Sequence, residues 1–177
     1  MKNPPKTKIV LDADVIIHFY KGGHFLQLFD IFPEYEYIIL DVVYNELNKH
    51  AQTKRIIDRA EKWLRKVTIQ EFSPQGKSIR DYVELKRTKG AGESACMIYC
   101  RDNRDVLGSS NLKDIHDFCN AHNITYLTTL DFLYFAYVRK KMTRQECNDF
   151  IATVKSQNSN LPNNITDIEN YICTVIL

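Results

Sequence analysis

Ile9-Val10-Leu11-Asp12-Ala13-Asp14-Val15-Ile16-Ile17 is an apolar run interrupted by two carboxylates. Apolar residues on both sides of Asp12 fit a strand buried on both faces, the habit of a parallel sheet. An ionised Asp in that setting is costly unless it is paired or holds a cation. In open α/β sheets ligands sit just beyond the carboxyl ends of the strands. Ile9 to Leu11 therefore reads as a strand that delivers Asp12 to the mouth of a site. The alternative is that Asp12 or Asp14 caps a following helix. If the strand runs on, Asp14 points to the opposite face, where capping is its expected role.

Outward from this stretch the chain alternates strand-like and helix-like segments. Gly22-Gly23 marks a break, Phe25, Leu28, Phe29 and Phe32 fall at helical spacing, and Pro33 ends that helix. Tyr37 to Leu40 reads as a second strand, followed by a helix capped by Asp41 and carrying Val42, Val43, Glu46 and Leu47. Glu46 is thus expected near the start of a helix, close to a strand end. Ile56, Ile57, Ala60, Trp63 and Leu64 form the apolar stripe of another helix, with Arg55, Arg59, Lys62 and Arg65 turned elsewhere. Val67 to Phe72 reads as a third strand, Asp81 to Arg87 as a short charged helix, and Lys89 to Ala95 as the opening of a helix through Tyr99. Val106 to Ser110 and Ile124 to Leu127 complete five strands, with helices over Asn111 to Cys119 and Leu130 to Val138. Such alternation implies a parallel sheet with helices on both faces. Thr143-x-x-Glu146 and Thr166-x-x-Glu169 have the form of capping boxes for two last helical segments.

The 177 residues suit a single domain spanning 1–177, with 156–177 as a C-terminal extension. No apolar run approaches the roughly 20 residues of a membrane helix, and the start lacks the form of a signal peptide. A cytoplasmic protein is expected. Five cysteines (Cys96, Cys100, Cys119, Cys147 and Cys173) without a C-x-x-C pair read as reduced core thiols, not a zinc site or disulfide frame. The formal charge is only +2, yet residues 48 to 90 hold twelve Lys or Arg against five Asp or Glu. A basic span beside an otherwise acidic chain fits a polyanion-binding lip around a carboxylate site, although helices also carry such residues simply as a solvated face.

Four acids, Asp12, Glu46, Glu93 and Asp114, fall at strand ends or the adjoining helix starts. Two unit charges about 4 Å apart repel by roughly 4 kcal/mol at an effective dielectric near 20, so cations or protons must relieve the cluster. Oxygen ligands without His or Cys point to magnesium or manganese. Such ions activate water and neutralise charge on a phosphodiester under in-line attack.

In these motifs the chain resembles the PIN-domain nucleases. The residues that carry the resemblance are Val10-Leu-Asp12-Ala-Asp14, Val42-Val-Tyr-Asn-Glu46-Leu, Gly90-Ala-Gly-Glu93-Ser-Ala and Ser109-Ser-Asn111-Leu-Lys-Asp114-Ile, in the family's order over about residues 9 to 151. The resemblance implies a three-layer α/β/α sandwich and a Mg2+ or Mn2+ site at Asp12, Glu46, Glu93 and Asp114. It implies endonucleolytic cleavage of RNA, often by the toxin of a toxin–antitoxin pair, and a homodimer. Ser109, Ser110, Asn111, Lys86, Arg87 and Lys89 are the candidate substrate-binding residues. Asn111 stands where many relatives carry Asp, which leaves Asp114 as the fourth acid.

Two rival readings are a haloacid-dehalogenase-like phosphatase and a PIN-like module without catalysis that binds RNA or acts as a scaffold. The first shares the Asp-x-Asp loop and a Ser110-Asn111 pair, but Ile16 stands where Thr or Val is expected and no late acidic pair follows. The second draws on Asn111, the basic span and the aromatic residues Tyr82 and Tyr134. Gly90-x-Gly92-x-x-Ala95 matches a dinucleotide fingerprint, yet a charged segment precedes it instead of a strand. The five His residues show no ligand spacing and read as structural or surface groups.

Overall fold

The computed structural model describes residues 6–177. These form an α/β/α sandwich around a five-stranded, wholly parallel sheet of β1 (Lys8–Leu11), β2 (Glu36–Leu40), β3 (Thr68–Gln70), β4 (Val106–Gly108) and β5 (Tyr126–Leu127), in the order β3-β2-β1-β4-β5. The helices are α1 (Ala13–Lys21), α2 (Phe25–Leu28), α3 (Asp41–Leu47), α4 (Ala51–Asp58), α5 (Lys77–Leu85), α6 (Ala91–Asn103), α7 (Leu112–His122), α8 (Thr129–Val138) and α9 (Arg144–Ser156). Each of the five expected strands is present.

β1 is central because it is apolar on both faces: Ile9, Val10 and Leu11 are wholly buried, with Ile9 opposite Tyr37 on β2 and Val106 on β4. Strand order runs outward from β1 through β2 and β3 on one side, and through β4 and β5 on the other. This reversal opens a crevice beyond the carboxyl ends of β1 and β4, where α/β sheets take their ligands. On one face of the sheet, Phe19 of α1 packs edge-on to Phe132 of α8 and 5.0 Å from Phe150 of α9. Fully burying each such ring is worth about 2–3 kcal/mol, so the aromatic cluster fixes α1 firmly behind Asp12. Leu161 and Ile168 join the same core, which ties the segment after α9 to the fold. Cys96, Cys100, Cys119 and Cys147 are buried free thiols, as expected, whereas Cys173 is free but only partly buried and so is not a core thiol. Among the described residues no helix is long and apolar enough to cross a membrane.

Three local expectations fail for physical reasons. The helix through Ile56 and Ile57 begins at Ala51 and ends in a π turn over Arg59–Trp63. A π turn closes i→i+5 and so advances less per residue than an α-helix. That slip carries Trp63 off the buried stripe, leaving it 82% exposed, with Leu64 exposed as well. Thr166 forms no capping box; the side chain of Asp167 accepts from the Glu169 N–H and caps a short 3-10 turn instead. Asp41 is the first residue of α3 rather than its cap, and its carboxylate accepts from the N–H groups of Val42 (2.8 Å) and Phe72 (3.0 Å). It thereby fastens the chain leaving β3 to the start of α3.

Candidate active site

Asp12 is the hinge between β1 and α1. Its N–H donates to the Gly108 carbonyl (2.8 Å), extending the β1–β4 pairing by one residue, while its extended backbone (φ −85°, ψ 163°) makes it the N-cap of α1. Its carboxylate accepts from the Ala13 N–H (2.8 Å) and from the Ser109 hydroxyl (3.2 Å), and only 6% of the residue is exposed. Burial, then the neighbouring Asp14, push its pKa well above the usual carboxylate range.

Asp14 does not point to the opposite face. The strand ends at Leu11, so Asp14 lies in the first turn of α1, and two carboxylates so placed both overhang the helix opening instead of alternating. Asp14 accepts from its neighbour's N–H at Val15 (2.6 Å) and from the Ser110 N–H (2.7 Å), locking the end of β4 to the start of α1. It stands beside Asp12 in the candidate site, and the sequence reading set it aside because the apolar residues on either side of Asp12 suit a strand and a helix equally and leave their boundary unmarked.

Glu46 and Glu93 approach from the other side. Glu46 sits in the last turn of the short α3, not near its start, since α3 begins directly at Asp41 and spans only 7 residues. Its carboxylate accepts the Gly92 N–H (3.0 Å) at the opening of α6. The approach depends on glycine: a Cβ at position 92 would lie 2.9 Å from Glu46 Oε2 and 3.1 Å from Val43. Glu93, the next residue, is 8% exposed, and its Oε1 is buried without a hydrogen-bond partner. Burial and the charge of Asp114 push its pKa up to about 7.

Asn111 is the N-cap of α7 and Asp114 lies in its first turn, as the Asn-x-x-Asp spacing implies. The Asn111 amide donates to Asp114 Oδ2 (2.8 Å), and Lys89 donates to Asp114 Oδ1 (3.2 Å). These two donors hold the Asp114 carboxyl below its ordinary pKa. Lys89 therefore faces inward on the acidic cluster, whereas Lys86 and Arg87 are exposed. Ser109 is buried and serves Asp12. Ser110 bonds in a second direction: its hydroxyl lies 2.8 Å from that of Thr129, which lies 2.8 Å from Nδ1 of buried His18. Burial pushes His18 down to about 4, so its imidazole is neutral near pH 7.

The structure thus brings Asp12, Asp14, Glu93 and Asp114 into one electrostatic neighbourhood, with Glu46 on its flank. Among the described residues no three Asp, Glu, His or Cys side chains already form a metal-holding group. The donors that meet here are all oxygen, the kind a hard divalent cation takes; one buried carboxylate oxygen is unpartnered, and burial, then neighbouring negative charge, raises Asp12 and Glu93. No family model matches the chain, and no curated protein matches it.

Proposed function

We propose that this protein is a divalent-metal-dependent endoribonuclease whose site is the acidic crevice beyond β1 and β4. The observation that carries the reading is the buried, unpartnered Oε1 of Glu93 beside Asp12, Asp14 and Asp114. Such crowding costs stability unless a cation relieves it. Asp12, Glu46, Glu93 and Asp114 would hold Mg2+ or Mn2+ through oxygen. The ion, when bound, lowers the pKa of water and offsets charge growing on a phosphodiester.

The chain's own groups supply the rest. Ser109 and the Ala13 N–H orient the Asp12 carboxylate, and the Gly92 N–H orients that of Glu46. Lys89, paired with Asp114, is placed to exchange that carboxylate for a phosphate oxygen of the substrate. The exposed Asn111 amide and the N-terminal end of α7 offer further donors to an anion, with Ser110 beside them. Because Glu93 titrates near pH 7, cation affinity should rise with pH through that range.

The decisive experiment is incubation of the purified protein with single-stranded RNA and Mg2+ or Mn2+, with a chelator control and a phosphatase substrate in parallel. Internal RNA cleavage that chelator abolishes, with no phosphate release, supports the reading. Metal-dependent phosphate release replaces it with the phosphatase, and tight RNA binding without cleavage replaces it with a binding module. As part of the same reading we propose a cytoplasmic setting, and the resemblance to toxin-type PIN nucleases suggests a homodimer and an antitoxin partner.

A further inference from the structure

The exposed π turn at the end of α4 lies outside the acidic crevice, and its composition is unusual for a solvated face. Trp63 is the only tryptophan of the chain and is 82% exposed. With Ala51, Lys54, Arg55, Asp58 and Arg59 it lines a concave surface of about 640 Å³. On an α-helix these positions recur at i, i+3, i+4, i+7 and i+8, so they form one outward stripe opposite the buried Thr53 and Ile57. The one acid in the stripe is already engaged: Asp58 accepts from Lys54 (2.8 Å) and from the Tyr44 hydroxyl. Among the described residues Arg55 and Arg59 form no ion pair. Two unneutralised guanidinium groups beside a bare indole satisfy the two requirements of single-strand recognition, phosphate neutralisation and a stacking platform. π segments in helices are frequently found at functional positions.

We infer that the stripe formed by Arg55, Arg59 and Trp63 is a docking track for single-stranded RNA, with one base stacked on Trp63 and the phosphates alongside held by the two arginines. The choice of RNA as occupant rests on the nuclease reading; the charge and the stacking surface do not. From Ala51 to Arg59 the α-helical rise covers roughly 12 Å, and the π turn to Trp63 adds a few ångströms more, together the reach of a few nucleotides. The track leads back through Asn48 to His50 towards α3, whose last turn carries Glu46. As a backbone and stacking track it adds affinity without reading sequence.

Trp63 makes the test simple, since its emission reports on one site alone. Wild-type protein in excess chelator is titrated with oligouridylate, oligoadenylate and, as a base-free control, inorganic polyphosphate, so cleavage plays no part. The oligonucleotides should quench Trp63 strongly and in a salt-dependent way, whereas polyphosphate should bind without comparable quenching. Trp63→Ala should weaken oligonucleotide binding by about tenfold or more, and Trp63→Phe should restore most of it. Arg55→Ala with Arg59→Ala should lower the log–log salt slope by roughly 0.7 per lost contact. Oligonucleotide binding with unchanged Trp63 emission and no effect of Trp63→Ala overturns the proposal. So does an emission change that follows protein concentration without RNA, which would make the indole a contact between copies. Quenching without cleavage when metal is restored leaves the track standing and removes the nuclease; cleavage without quenching does the reverse.

Discussion

Two buried carboxylate settings at the carboxyl edge of the sheet are built on opposite plans. Asp131, in the first turn of α8, is 3% exposed. One of its oxygens accepts from the Thr128 N–H (2.8 Å) and hydroxyl (2.7 Å), the other from the Tyr171 hydroxyl (2.8 Å) and the Cys173 thiol (3.2 Å). It is a finished structural joint that clasps the C-terminal segment to α8. Glu93 is buried to a similar degree, but one oxygen has no donor and its nearest charged neighbours include other acids. Burial of an acid therefore does not signal function. What distinguishes the crevice is like charge packed together and left short of donors.

The largest expected break in this contrast is Asp12→Asn, which should lower RNA cleavage by about a thousandfold or more while leaving the fold intact. Cleavage by a preparation free of host nuclease, measured with circular dichroism as the control for folding, checks both halves. Asp131→Ala should behave in the opposite sense. Stranding the Thr128 and Tyr171 donors should cost about 2–3 kcal/mol in denaturant unfolding, with activity per folded molecule kept.

Asp114→Asn should lower activity by roughly 10–100-fold and raise the Mg2+ concentration required, well beyond the effect of Asn111→Ala. Metal titrations of cleavage by the two variants decide this. If the order is reversed, Asn111 rather than Asp114 completes the site. Asp14→Asn belongs in the same series, with an effect closer to that of Asp114→Asn than to wild type.

The pH response sharpens the comparison without any assay of cleavage. Glu93 has a folded pKa raised to about 7 from an ordinary value near 4.5. Between these values the unfolded chain binds fewer protons at this group, so its contribution favours folding at low pH and is lost as pH rises through about 7. In chelator, Glu93→Gln should therefore gain thermal stability over wild type at pH 8 and little at pH 4. Equal differences at both values would mean that Glu93 is not strained. The smallest effect is expected from Lys86→Ala with Arg87→Ala, which should reduce the salt slope of RNA binding by roughly 0.7 per lost contact and leave cleavage positions unchanged. Lys89 belongs with the crevice, since it is paired to Asp114.

The sheet was legible because a central parallel strand must be apolar on both faces, and Ile9 to Leu11 and Tyr37 to Leu40 leave no other reading. The placement of Asp12, Glu93 and Asp114 was legible because strand ends and helix starts are marked by Asp12, by the Gly90 to Glu93 opening and by Asn111, whereas Glu46 was expected near the start of α3 and lies in its last turn. Asp14 was hidden because Ala13 to Ile17 suits a strand as well as a helix, and the two periods aim the same side chain differently. Trp63 was hidden because a π turn leaves no pattern in composition and shifts the phase of everything after it. The pairing of Lys89 with Asp114 joins residues 25 apart, beyond what charge counting along the chain can show.

The β1–β4 register also sets a clock. The hydrogen bond from Ser109 to Asp12 joins residues 97 apart, and parallel strands cannot pair before the intervening chain exists. At roughly 5–20 residues per second of synthesis, Asp12 waits about 5–20 s for its partner to be made. Glu46 is made early, Glu93 and Asp114 late. A nascent or interrupted chain ending before β4 thus carries acids but no crevice, and whatever the site does begins only when synthesis of the core is nearly complete.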